Sequence, residues 1–234
     1  QSCEMKEIKE LSLEFNFRII EDASHAIGGK YLNNPIGCCE YSDITIFSFH
    51  PVKIITTGEG GAAVTNNADL DKKIKLLRSH GISRDKNDFP KHPKTEIWNY
   101  SQIMLGYNFR LPDINSALGI NQINRIDEFL NKRHQIAKTY DLAFKNLPIK
   151  TPFQNADCYS SFHLYPIRII ENLSQKSRNF VFTELKKRNI GVNIHYIPVY
   201  RHPIYEKIGF KIGYCEEAES FFREVITLPI FPEL

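Results

Sequence analysis

Lysine 53 lies in the run FSFHPVKIITTGEGG at residues 47–61, just past a β-branched and aromatic stretch and just before Thr56, Thr57, Glu59 and three glycines. Most of the 30 Lys and Arg residues of a chain like this are solvated charges, and one lysine beside glycines is by itself no more than that. Upstream, Phe17-Arg18-Ile19-Ile20 reads as a buried strand ending in Glu21-Asp22-Ala23-Ser24-His25-Ala26 before the Gly28-Gly29 turn. Ligands of open α/β sheets bind at the carboxyl ends of parallel strands, so Asp22 and Lys53 are expected on one rim. An amine and a carboxylate placed there suggest a shared ligand.

Pyridoxal phosphate needs that pair. Its aldehyde must be held covalently by a lysine amine, and its ring nitrogen must stay protonated. A buried carboxylate achieves the second through a charge-assisted hydrogen bond worth about 1.5–3 kcal/mol. Lysine suits the first role and arginine does not: an amine with an ordinary pKa of about 10.4 can be tuned to attack a carbonyl, whereas guanidinium stays charged. Lys53 would then also serve as general acid and base once an incoming amine displaces it. His25 could pack on or hydrogen-bond the cofactor ring, or be structural. Ser48 stands at a strand end, where its hydroxyl could meet a phosphate or simply form a turn.

These residues must be positioned by an α/β framework. Strands are expected near 18–21, 43–47 and 61–65, short and apolar as in a sheet covered on both faces, followed by a helix over 68–79. Residues 81–107 form a long polar stretch with Ser83-Arg84-Asp85-Lys86-Asn87-Asp88 and the single Trp98. A loop of that length is usually functional or disordered. Leu111-Pro112-Asp113 opens a helix with proline in its first turn and an acid at the positive dipole end. Its apolar stripe, Ile114, Ala117, Leu118, Ile123 and Ile126, continues into a second helical stretch through Ile136, Tyr140 and Phe144, and the whole reads as a bridge between lobes. Beyond a linker at 148–161 come a strand over 162–170, a helix over 176–189, a strand over 191–197 and a final strand over 225–230, the pattern of a small α+β lobe.

Bulk properties narrow the class. With 234 residues and 42% hydrophobic content the chain can bury a full core. A net charge of +3 is too modest to argue for nucleic acid. No apolar run approaches the ~20 residues of a membrane-spanning helix, and the first residues have no signal-peptide pattern. Five cysteines without C-x-x-C spacing fit reduced thiols in the cytoplasm better than a disulfide framework. The scattered histidines show no H-x-x-x-H pairing, so no metal is expected.

The segments EDASHAIGGKY, SDITIFSFHPVKIITTGEGG, LLRSHGI and GYNFRLPDINSALG together closely resemble the DegT/DnrJ/StrS sugar-nucleotide aminotransferases, over essentially the whole chain. The resemblance implies the aspartate aminotransferase (type I) fold of pyridoxal-phosphate-dependent transferases. Residues 1–125 would be the large cofactor-binding domain, 126–150 a bridging helical region and 151–234 a small C-terminal α+β domain. Lys53 matches the family's cofactor lysine, Asp22 the acid on the ring nitrogen, Ser48 a phosphate-binding hydroxyl and His25 the position beside the ring. Asn108 matches an asparagine that reaches the cofactor phosphate of a neighbouring subunit, which implies a homodimer with shared active sites. His195 and Tyr196 fall in a stretch near the nucleotide-sugar pocket of relatives, or form a buried strand with polar edges. In such a dimer Arg84 or Lys86 could meet the partner's diphosphate, or be solvated loop charges.

The implied reaction moves an amino group from L-glutamate to C4 of a UDP-linked 4-keto-6-deoxyhexose. Residues 192–205 and 207–214 are most similar to members acting in biosynthesis of pseudaminic acid. Relatives also carry a Gly/Thr phosphate loop before the Asp22 strand and a closing helix after the last strand. Neither is found here, so the chain is expected to be an internal fragment lacking part of its cofactor site. Same-fold dehydratases carry histidine where this chain has Lys53. A non-catalytic nucleotide-sugar-binding or regulatory protein would tolerate Lys53→Ala.

Overall fold

A computed structural model describes residues 1–85, 87–88 and 98–234. The first part of the chain forms α1 (Met5–Phe15), β1 (Ile20–Asp22), β2 (Lys30–Tyr31), β3 (Asn34–Pro35), β4 (Ile44–Ser48) and β5 (Gly61–Val64). It continues with α2 (Ala68–Arg78), β6 (Ile82–Ser83), β7 (Ser101–Gln102) and α3 (Asp113–Ile123). Next come α4 (Ile126–Phe144), β8 (Ile149–Lys150), β9 (Cys158–Tyr159), β10 (Tyr165–Ile169) and α5 (Glu171–Ser174). The last elements are α6 (Arg178–Lys187), a 3-10 turn at Val199–Arg201, α7 (Pro203–Glu206), α8 (Glu216–Glu224) and β11 (Val225–Leu228). Two compact units result: Gln1–Ile126 with Asp157–Ser160, and Asp127–Ala156 with Ser161–Leu234.

In the first unit the sheet order is β1-β4-β5. Strands β1 and β4 are parallel, with Asp22 opposite Ile46, whereas β5 runs antiparallel to β4, with Gly61 opposite Ser48. The expectation of a sheet covered on both faces is corrected. Thr45 and Phe47 are buried on one face, while Ile20 and Ile46 on the other are 62% and 40% exposed. The expected strand at 17–20 likewise begins later, at Ile20, and of that stretch only Ile19 is buried. Helix α2 has matched ends. Asn67 caps it by accepting from the amides of Asp69 and Leu70 at 2.9 and 3.0 Å, Asp69 and Asp71 occupy its first turn, and Lys75 and Arg78 its last. Part of the expected 81–107 loop is regular, since β6 and β7 pair antiparallel.

The helical stretch begun at Asp113 is two helices, and Pro112 stands at the cap of α3 rather than in its first turn. The apolar stripe of α3 is not buried: Ile114 is 86% exposed, and Leu118, Ile120 and Ile123 are also exposed. Helix α4 instead contributes Ala137, Ile136, Tyr140 and Phe144 to the core of the second unit. That core is built on the antiparallel sheet β11-β10-β8. Tyr165, Ile167 and Ile169 of β10 meet Ile226 and Leu228 of β11, with Val181, Phe182 and Leu185 of α6 packed against them. Arg133 on α4 is buried and donates from Nη1 to the carbonyls of Phe162 and Ile230, each at 2.9 Å.

The expected strand over 191–197 is reduced to one bridge, in which Asn193 and Thr227 exchange backbone bonds at 2.8 and 3.2 Å. Pro198 follows closely and lacks an amide hydrogen, so it could not donate to a continuing ladder.

Candidate active site

Side chains two residues apart on a strand share a face, so the register of β1 and β4 places Asp22, Ile46 and Ser48 together on the open face of the sheet. Asp22 and Ser48 stand where the two parallel strands end. Beyond Asp22 the chain turns through residues 24–28, with Gly28 at φ +80° supplying a conformation that side-chain-bearing residues rarely adopt. His25 sits in that turn, exposed. Beyond Ser48 the chain enters the loop that carries Lys53.

Asp22 is exposed rather than buried, which corrects the expectation of a buried acid. Its pKa nevertheless lies below the usual carboxylate value. Hydrogen bonds from Ser24, including its amide at 3.1 Å, have the largest effect; desolvation opposes them, and the charges of His25 and Lys53 add lesser lowering contributions. On the opposite, covered face, neighbouring Glu21 shifts the other way. Burial raises its pKa, and the Thr45 hydroxyl at 3.5 Å offsets this only in part. Two adjacent carboxylates thus differ because alternate residues of a strand face different environments.

The lysine loop is tightly cross-linked. Lys53 is half-buried, and its amide donates to the His50 carbonyl at 2.9 Å. Phe49 gathers the loop ends: its amide donates to Gly60 at 2.8 Å, and its carbonyl accepts from the Thr57 amide and the Thr56 hydroxyl, both at 3.0 Å. Directly after Lys53, Ile54 and Ile55 are buried, and so is Thr57. From α3, the Asn115 amide donates to the Thr57 carbonyl. Sequence reading missed this partner. The available signal was the four-residue recurrence of Leu111, Asn115 and Gly119, a second stripe beside the apolar one.

Asn108, also in the first unit, is exposed and bridges to Ser79. The rings of Tyr107 and Phe109 on either side of it are exposed and stacked on each other, 4.7 Å apart. Arg84 is exposed, with its guanidinium 5.9 Å above the Tyr100 ring, and Lys86 lies outside the described residues. Asp88 accepts from Ser83, just before Arg84, at 2.6 Å and from Lys72 on α2 at 2.7 Å.

His195 and Tyr196 belong to the second unit. The Nδ1 atom of His195 lies 2.9 Å from the hydroxyl of buried Thr227, and its ring meets Tyr196 edge-on at 4.5 Å. The chain that follows is clamped by Glu219 of α8. This buried carboxylate takes the Arg201 guanidinium, the Tyr200 hydroxyl at 2.9 Å and the Gly213 amide at 3.0 Å. Arg201 above all draws its pKa down to about 2.

Among the described residues no group of three or more His, Cys, Asp or Glu side chains could hold a metal ion, and no helix is long and apolar enough to cross a membrane.

Comparison with known proteins agrees with this framework. The model of the DegT/DnrJ/EryC1/StrS aminotransferase family matches residues 1–234. The chain is 41% identical over 235 residues to the UDP-4-amino-4,6-dideoxy-N-acetyl-beta-L-altrosamine transaminase of Campylobacter jejuni, covering 100% of this chain and 58% of the relative. Among solved structures it superposes on Helicobacter pylori PseC, an aminotransferase involved in biosynthesis of pseudaminic acid. The TM-score is 0.87 at 33% identity, over 100% of this chain and 59% of that one. The PLP form of the putative sugar aminotransferase Spr1654 from Streptococcus pneumoniae gives a TM-score of 0.83 at 29% identity, over 100% of this chain and 61% of that one. The chain therefore spans somewhat under two thirds of the relatives it matches. Its fold is that of the type I, aspartate aminotransferase-like sugar aminotransferases.

Proposed function

Because the chain belongs to the DegT/DnrJ/EryC1/StrS aminotransferase family, we propose that it acts in pyridoxal-phosphate-dependent transfer of an amino group from L-glutamate to C4 of a UDP-linked 4-keto-6-deoxyhexose, in biosynthesis of pseudaminic acid or a related amino sugar. The observation that carries this reading is the grouping of Asp22, Ser48 and the Lys53 loop at the ends of two parallel strands, with the lysine's charge felt at Asp22. An amine, an ionised carboxylate and a hydroxyl are the donor set that pyridoxal phosphate requires, and when bound the cofactor supplies an electron sink at the substrate carbon.

Within this reading Lys53 holds the cofactor covalently through Nζ and later carries a proton to and from the substrate carbon. Asp22, kept ionised by Ser24, accepts a hydrogen bond from the ring nitrogen and holds its proton there. The Ser48 hydroxyl donates to the phosphate, and His25 stands beside the ring. Asn108 serves the phosphate of a second subunit in a homodimer, a role supported by the exposed Tyr107 and Phe109 rings that flank it. His195, Tyr196 and Arg84 are assigned to the nucleotide sugar. A cytoplasmic location accords with five free cysteines.

The test is Lys53→Ala. Wild-type protein given pyridoxal phosphate should show a visible absorbance band and, after borohydride reduction, a pyridoxyl group on Lys53. Glutamate should then drive loss of a 4-keto sugar nucleotide. Amino transfer that survives the substitution would sink the proposal.

A further inference from the structure

Between Lys53 and α3 lies a contact that the reaction chemistry does not require. Leu111, Asn115 and Gly119 recur every four residues and so present one side of the helix and its entry. All three meet the lysine loop. A Cβ added at Gly60 would fall 2.8 Å from Leu111 Cδ1, one at Gly58 3.5 Å from Asn115 Nδ2, and one at Gly119 2.8 Å from Thr57 Cγ2. The close approach therefore depends on a glycine on each side. At its centre is the Thr57 carbonyl, on a residue only 2% exposed, and a buried carbonyl needs a donor. Asn115 supplies one.

We infer that Asn115 is the positioning residue of the lysine loop: by pinning the Thr57 carbonyl to α3 it fixes where the Lys53 amine stands. The mechanical path is short. Three residues separate Thr57 from Lys53, and two of them, Ile54 and Ile55, are buried at 5% and 2% exposure, so displacement at the carbonyl has little slack in which to dissipate. Thr57 is also bonded through its amide to Phe49 and through its hydroxyl to Glu59 at 2.7 Å, which makes it the knot of the loop. A polar Asn in this stripe has a specific use, since an apolar residue of the same size would leave the carbonyl without a partner. The inference rests on the aminotransferase reading only for the meaning of Lys53, not for the geometry.

Asn115→Asp is the informative variant. It keeps size and shape but turns a donor into an acceptor facing another acceptor, so a packing role would tolerate it and a donor role would not. Amide exchange of residues 49–60 in the whole chain should accelerate about tenfold in Asn115→Asp, with exchange in β10 and β11 unchanged. Borohydride-trapped pyridoxyl on Lys53 should form about tenfold more slowly, and the pH at which the visible band is half-developed should move. Exchange and trapping equal to wild type would overturn the inference. Where Asp disturbs exchange throughout the first unit, Asn115→Gln and Asn115→Ala decide. Gln retains the donor and should hold loop protection within about twofold of wild type, Ala should not, and equal protection in both refutes the role. Failure of the wild type to trap pyridoxyl would count against the aminotransferase reading, while the exchange comparison would still judge Asn115.

Discussion

Arg133→Met replaces a guanidinium that is 4% exposed, carries two hydrogen bonds of 2.9 Å and has a third group, Nε, buried without a hydrogen-bond partner among the described residues. Burial pulls its pKa down to about 10, which still leaves it charged at neutral pH. Methionine fills most of the same space and donates nothing. The carbonyls of Phe162, shortly before β10, and Ile230, shortly after β11, would then be buried unpaired at about 1–3 kcal/mol each. Against this, removing the cation relieves the orphaned Nε, about 1–3 kcal/mol in the other direction. The balance is a net loss of about 2 kcal/mol, because two groups are orphaned and one is relieved. Exchange of the β10 amides, which reports the second unit alone, should accelerate about thirtyfold, and a urea midpoint followed by circular dichroism should fall by about 1 M. Exchange in Arg133→Met that is unchanged or slower than wild type would refute the reasoning, for it would mean that the buried cation is no more favourable than an apolar side chain.

Further outcomes follow from the same structure. A Cβ at Gly81, where φ is +68°, would sit 1.9 Å from the Met104 carbonyl oxygen, whereas one at Gly191 meets nothing within 4 Å. Gly81→Ala should therefore lower the stability of the first unit by more than about 2 kcal/mol and Gly191→Ala change that of the second by less than about 0.5 kcal/mol, as read from thermal melts. Glu219, with a folded pKa of about 2 against an ordinary 4.5, contributes stability that is complete above pH 4.5 and is lost as pH falls toward 2. Acid titration by circular dichroism should show that loss in the wild type and a flatter acid limb in Glu219→Gln. Tyr165 is raised well above 10 by burial and by its bond to Asp141, so its contribution is complete below pH 10 and is lost as pH rises beyond it. Alkaline unfolding that begins above pH 10 should be relieved in Tyr165→Phe.

The local signals of this chain were strong enough to read directly. Asn67 with Asp69 and Asp71 marks the start of α2, and the β-branched runs before Asp22 and Ser48 mark β1 and β4, because caps and short apolar strands are decided by neighbours in sequence. The residue types at 22, 48 and 53 suggest a shared ligand from the sequence, since an amine can form an imine with an aldehyde and a carboxylate can hold a ring nitrogen protonated. What the sequence could not decide was which side of each element meets something. Residues 191–197 are apolar enough for a strand, yet their backbone bridges to β11 at Asn193, and Pro198 follows. The apolar stripe of α3 looked like its packing face, yet Ile114 stands open while Leu111, Asn115 and Gly119 meet the lysine loop. Periodicity states that a face exists, and only the tertiary arrangement chooses its neighbour. For that reason Lys53 could be singled out from the sequence, while Asn115 came into view only when the carbonyl of buried Thr57 was matched to its donor across the fold.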